Sequence, residues 1–256
     1  MNENHKKIIE LFKEKTKKDC YKVSLTEEEP AILDDKIGGK PYLPVGEEWP
    51  KDKDGNELAL LLQVNLKNID LPGWPKEGIL EIFTDRAVEW PCQYAVRYFA
   101  EGLEYQTELP EVDTSEYVVK TGCKITLAKD VCYMPYNDYR FVKAFTDAIN
   151  EVAGTSLAAN YASIDDYFTN DVDWYEMVFN DMPNPTITIG GYADFTQTDP
   201  RERRDDNKDE CLFKIDSSGN MRRIYIGDAG IMSAMISMAD IENRNFGNAL
   251  VDWDCC

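Results

Sequence analysis

Short apolar stretches, broken by loops rich in proline and glycine, constrain this chain most. The longest uninterrupted stretch is Leu58-Ala59-Leu60-Leu61-Leu62. That is far short of the roughly 20 residues of a membrane-crossing helix, so burial has to come from many short elements packed together. Residues 58–66, 79–84, 93–99, 124–128, 186–189 and 212–215 are short and carry β-branched or aromatic side chains, which predicts strands. Residues 221–226 follow Ser218, Gly219 and Asn220 and are expected to pair with 212–215 as a hairpin. In 231–238, alternation puts Met232, Ala234, Ile236 and Met238 on one face, which reads as a strand facing a core.

Helical spacing appears in three places. Residues 4–18 place Ile8, Leu11 and Phe12 on one face. Phe141, Val142, Phe145, Ile149 and Val152 keep the spacing more clearly, with Asn137 or Asp138 to cap the start and Gly154 to end it. A third helix is expected over 172–179. The combined reading is an α+β protein of mostly antiparallel sheet with a few peripheral helices. No Gly/Ser linker divides it, so one domain is expected over 1–256.

The chain also echoes itself. Gly38-Gly39 leads through a Tyr and a Pro to Leu61-Leu62-Gln63-Val64-Asn65, 25 residues from Gly38 to Gln63. Gly190-Gly191 leads in the same way to Leu212-Phe213-Lys214-Ile215-Asp216, 24 residues from Gly190 to Lys214. An internal duplication with pseudo-two-fold symmetry is expected, with units at 38–84 and 190–238. Coincidence between short patterns is the competing reading, and superposition of the units decides between them.

The formal charge is −20, from 28 Lys and Arg against 48 Asp and Glu. Such a chain repels phosphate backbones and anionic lipid surfaces, which disfavours nucleic acid and membrane as partners. It suits a basic protein, polyamines or divalent cations; the plainer reading is solubility. The N-terminal residues lack the apolar core of a signal peptide, so a cytoplasmic location is expected. Seven cysteines without a C-x-x-C spacing read as free thiols; a redox role for adjacent Cys255 and Cys256 is the weaker alternative.

Most familiar chemistries lack their residues. His5 is the only histidine, expected at the surface of the first helix, which leaves no imidazole for Ser-His or Cys-His catalysis. No cysteine spacing supplies a zinc site. Asp52 to Glu57 lacks the spacing of an EF-hand and reads as a turn. The cluster Asp165, Asp166, Asp171 and Asp173 could gather a divalent cation, or simply be a solvated acidic face. The glycine pairs lack a phosphate-loop context. No cofactor and no metal site is expected. Two carboxylates can still run acid–base chemistry, and Asp228 and Asp199, with Arg201 beside it, are the candidates. The alternative for each is an Asp bonded to its own turn. Aromatic residues gather near the glycine loops: Tyr42, Trp49 and Trp74 in the first unit, Tyr192 and Phe195 in the second. They read as a binding surface or as core plugs beneath the loops.

The run KIGGKPYLPVGEEWP followed by ELALLLQVNL is similar to the opening signature of the YwqG-like family, a bacterial domain of unknown function. GGYADFTQTDPRER resembles its second signature, LFKIDSSG with YIGDAGIM its third, and VDWDCC its ending. The resemblance runs from about Lys36 to the C-terminus. Ala193 stands where a Pro is expected, Tyr225-Ile226 replace a bulky pair with Trp, and the strand at Met232 is less aromatic. The resemblance implies an α+β domain of mostly antiparallel sheet and carries no established activity or catalytic residue.

Two functions follow as expectations. One is a non-enzymatic module that binds a basic protein, its candidate residues being Tyr42, Trp49, Tyr192, Gln197, Asp199, Arg201 and Asp228. The other is a small-molecule site or carboxylate enzyme, with a pocket between the halves near Tyr42, Tyr192, Gln197 and Asp228. The oligomeric state is not legible.

Overall fold

The computed structural model describes residues 2–85, 92–110, 112, 114, 115, 117–168, 173–217 and 224–255. Ten strands form one antiparallel sheet: β1 (Lys18–Leu25), β2 (Lys36–Ile37), β3 (Ala59–Asn65), β4 (Ile79–Thr84), β5 (Tyr94–Phe99), β6 (Cys123–Cys132), β7 (Ile187–Gly190), β8 (Glu210–Asp216), β9 (Ile231–Ile236) and β10 (Leu250–Asp254). Their order is β10-β9-β8-β7-β1-β6-β2-β3-β4-β5. Among the described residues five α-helices accompany them: α1 (Glu3–Thr16), α2 (Phe141–Ala153), α3 (Tyr161–Phe168), α4 (Trp174–Asp181) and α5 (Met238–Glu242). The α+β class and the antiparallel sheet are as expected.

Apolar residues from both halves of the sheet form the larger core, among them Ile37, Leu62, Ile82, Ile189, Phe213 and Met232. A second core fills the space under the helices. Phe12 of α1 meets Phe145 of α2 edge to face at 5.2 Å, and Phe145 stacks on Phe168 of α3 at 5.9 Å. Cys20 of β1 and Cys132 of β6 carry this core onto the sheet, their sulfurs 3.0 Å apart. Gly191 lies directly above them: with φ +77°, an added Cβ would come within 2.7 Å of the Cys132 Sγ.

Some elements differ from expectation. The first helix stops at Thr16 because β1 starts at Lys18 and pairs with β6 over eight residues, a tertiary gain that local pattern does not register. Helix α2 ends on left-handed Gly154 as expected, but neither Asn137 nor Asp138 caps its start. The N-cap is Arg140, and the Asp138 carboxylate is bonded to the Arg140 N–H and guanidinium. Strand β9 stops at Ile236, because the Ser237 hydroxyl accepts the Asp240 N–H and starts α5. Met232, Ala234 and Ile236 face the larger core. Residues 221–223 of the expected strand at 221–226 lie outside the described residues. Both edges of β8 are taken by β7 and β9, so it has no edge left for that hairpin; Ile224 bridges to Val119 instead.

Outward from the central pair β1 and β6, the two half-sheets run in parallel registers. One row of paired residues reads Lys124, Lys36, Gln63, Glu81, Arg97. The other reads Lys22, Thr188, Lys214, Ser233, Asp252. Both third strands carry a register shift, between Leu60 and Leu62 and between Cys211 and Phe213. Each half-sheet therefore carries a polar ladder, buried at its middle.

Candidate functional site

The first ladder is closed by its own chain. Lys36 Nζ donates to the carbonyls of Ala31 and Ile32 at 3.0 and 2.8 Å. Gln63 Nε2 donates to the carbonyls of Ile32 and Asp34. The Tyr42 N–H is shared between Gln63 Oε1 and Glu81 Oε1, each at 2.8 Å. Burial pushes the Glu81 carboxyl up to about 8 against the pull of the Tyr42 N–H and the Lys36 and Arg97 charges.

The second ladder is open. Lys214 is 3% exposed, yet among the described residues no group lies within hydrogen-bond or ion-pair distance of its Nζ. Ile32 and Asp34, which close on Gln63, lie four and two residues before Lys36. The residues four and two before Thr188 are Asn184 and Thr186, and with Lys214 they line a cavity of about 330 Å³. Asn184 is held by a two-way bond to the Tyr133 backbone, Oδ1 accepting its N–H and Nδ2 donating to its carbonyl. Asp194 and Asp216 complete the polar floor, with Met134, Tyr136, Val178, Phe179 and Met182 as walls. Burial raises the Asp194 carboxyl above its ordinary value, opposed by the Lys214 charge and the Phe195 N–H.

Three of the wall residues come from α4 and its end. Asp173 caps this helix by accepting the Glu176 N–H at 3.1 Å, and Lys13 of α1 donates to the Asp181 carbonyl at its end. Phe179, at the mouth, is 66% exposed.

Most residues marked by sequence lie elsewhere. None of the cavities at Lys18, Pro30, Lys214 or Arg140 is lined by Tyr42, Trp49, Tyr192, Gln197, Asp199, Arg201 or Asp228. Tyr42, Trp49 and Tyr192 are buried plugs whose polar tips donate to the carbonyls of Leu103, Leu58 and Thr16. Gln197 is exposed and donates to the Cys255 carbonyl, and Asp228 is exposed. Tyr42 and Tyr192 are thus buried, and Gln197 and Asp228 lie at the surface. His5, expected at the surface, is 8% exposed and packs on Phe168 at 4.9 Å.

Asp199 and Arg201 do come together. Arg201 is bonded through Nε and Nη2 to Asp199, at 2.8 and 2.6 Å, and reaches Asp138 at 3.0 Å. Its guanidinium lies over Tyr139 and Phe195. Every side chain named in this network is engaged, which makes it a structural clamp rather than an open site. Of the acidic cluster, Asp165 accepts the Trp174 indole N–H, Asp173 caps α4, and Asp171 lies outside the described residues. Among the described residues, no three His, Cys, Asp or Glu side chains gather as metal ligands would. Of Cys255 and Cys256, the second lies outside the described residues.

A family model described as a domain of unknown function, DUF1963, matches residues 35–255. The chain belongs to the DUF1963 family. The DUF1963 match takes in β2 to β10 and the whole Lys214 cavity, and leaves α1 and β1 outside it. No curated protein matches the chain. Among the described residues, no helix is long and apolar enough to cross a membrane.

Sequence reasoning passed over Lys214 although a signal was present. In Leu212-Phe213-Lys214-Ile215 a charge interrupts an apolar strand whose neighbours on either side face inward. A lysine in such a place is buried with a partner or waits for one.

Proposed function

We propose that this DUF1963 protein binds a small organic ligand in the Lys214 cavity. One observation carries this reading: the Lys214 side chain, 3% exposed, lines that cavity beside Asp194 and Asp216, and among the described residues its ammonium makes no hydrogen bond or ion pair. A cation on a nearly buried side chain that opens only onto a cavity is placed to meet an acceptor brought by a ligand. The opposite half-sheet supports the reading, because there the chain itself supplies the acceptors. The apolar walls and the volume suit a small molecule.

The reading predicts that Lys214→Met loses binding. The check is a thermal-shift panel of apolar carboxylates, amines and amino acids at millimolar concentration. A ligand present at 100 times its Kd should add about 2.7 kcal/mol to the wild type and nothing to the variant. No shift with any compound, or a shift that survives in Lys214→Met, overturns the reading.

A second reading rests on a different observation. Beside the cavity, Tyr161 and Tyr175 are 50% and 40% exposed, and Phe179 66%, on a chain of charge −20. We propose this α3–α4 face as the dock for a basic protein in the cytoplasm. The expected result is one basic protein captured at low salt, released as salt rises and lost with Tyr161→Ser. Capture unchanged by that substitution removes the dock. The YwqG-like assignment within the family is likewise an inference, supported by the four ordered motifs. Internal duplication is supported by the matched registers, bulges and ladders of the two half-sheets.

A further inference from the structure

We infer that the ligand of the Lys214 cavity is a free α-amino acid with a large apolar side chain. This rests on the reading of that cavity as a binding site and names what the site takes. The floor holds both signs of charge: the Lys214 ammonium, and the carboxylates of Asp194 and Asp216. A ligand with only a carboxylate would satisfy Lys214 but add a third negative group beside the two aspartates. A ligand with only an amine would satisfy Asp194 and bring no acceptor to Lys214. A zwitterion complements both and leaves the charge of the floor unchanged.

The fold favours the same arrangement. Asp194 binds its own chain through Oδ1, which accepts the Phe195 N–H at 3.0 Å, and among the described residues Oδ2 has no donor. The end of α4 that lines the cavity is its C-terminal end, where Val178 and Phe179 sit. Carbonyls at a helix C-terminus carry partial negative charge, so this wall welcomes an ammonium and resists a second anion. Among the described lining residues there is no arginine, and Lys214 is the one cation, which weighs against a phosphate or a dicarboxylate. About 330 Å³ lies at the small end of ligand sites and fits a single amino acid. Met134 and Met182 add adaptable thioether surface, which suits branched and aromatic side chains alike.

The test is calorimetric titration of the full chain with L-leucine, L-methionine and L-phenylalanine, and in parallel with isocaproate and isoamylamine, which carry the leucine side chain with one charge each. The zwitterions should bind at least about tenfold more tightly than either single-charge analogue. Asp194→Asn should weaken leucine and leave isocaproate unchanged, whereas Lys214→Met should weaken both. Phe179→Glu, at an exposed position on the mouth that leaves the cores intact, should weaken all three amino acids. Isocaproate binding as tightly as leucine would overturn the amino-acid assignment and keep the cavity as an anion-binding site. Failure of every probe to bind the wild type would overturn both.

Discussion

Replacing Arg201 by alanine is expected to cost about 3–5 kcal/mol of folding stability, measured by urea denaturation. The side chain is 3% exposed, and its partners Asp138 and Asp199 are 0% and 3% exposed. Burial alone would raise Asp138; the bonds from Arg140 and the charges of Arg140 and Arg201 overcome it and hold this carboxyl below the usual carboxylate range. Removing Arg201 leaves two buried carboxylates short of a counter-charge and opens space against Tyr139 and Phe195. The double variant Arg201→Met with Asp199→Asn should lose less than the sum of its parts, because Asp199 is then no longer a buried charge without its partner. The sign with pH follows. A carboxyl depressed in the folded state gives stability that is present above its unfolded value and lost as pH falls through the folded one, so Asp138 makes the wild type acid-labile. A loss below about 1 kcal/mol for Arg201→Ala would mean the clamp behaves as a surface ion pair.

Glu81 gives the second large effect, on the alkaline side. Its folded value of about 8 lies above the ordinary 4.5, so the folded state keeps a proton that the unfolded chain releases. Stability should therefore fall as pH rises from about 5 to 8, by at most about 1.4 kcal/mol per pH unit for this one proton. Burial lowers Lys36 from 10.5 to about 8, against the pull of Glu81 and Asp34. The folded state sheds that proton early, so stability should recover as pH climbs from about 8 towards 10.5. A minimum near pH 8 is the expected profile. Glu81→Gln keeps an acceptor for the Tyr42 N–H and cannot ionise. It should match the wild type near pH 5 and exceed it near pH 8. Parallel profiles for the two proteins would show that Glu81 ionises freely in the fold.

Elements whose burial is local were legible from residue pattern alone. Residues 79–84 are a strand because six successive residues suit a fully buried sheet, and β4 has those bounds. Helix α2 was legible from its 3.6-residue spacing and its glycine stop. The Gly-Gly echo was legible too, because chain reversals with positive φ need glycine at Gly38, Gly39, Gly190 and Gly191 alike. Tertiary structure decided the rest. Strand β1 carries Lys18, Asp19 and Lys22, and its identity comes from eight pairs with a strand more than a hundred residues away. The aromatic residues near the glycine loops could have been surface or plug; only the carbonyls waiting at Leu103 and Thr16 made Tyr42 and Tyr192 plugs. Lys214 and Gln63 hold matching places in matching strands. One is closed by the carbonyls of Ile32 and Asp34, while the other faces a cavity, because the chain before β7 runs differently from the chain before β2. Whether a buried polar group is satisfied depends on atoms brought from distant segments, and no local pattern encodes where those will be.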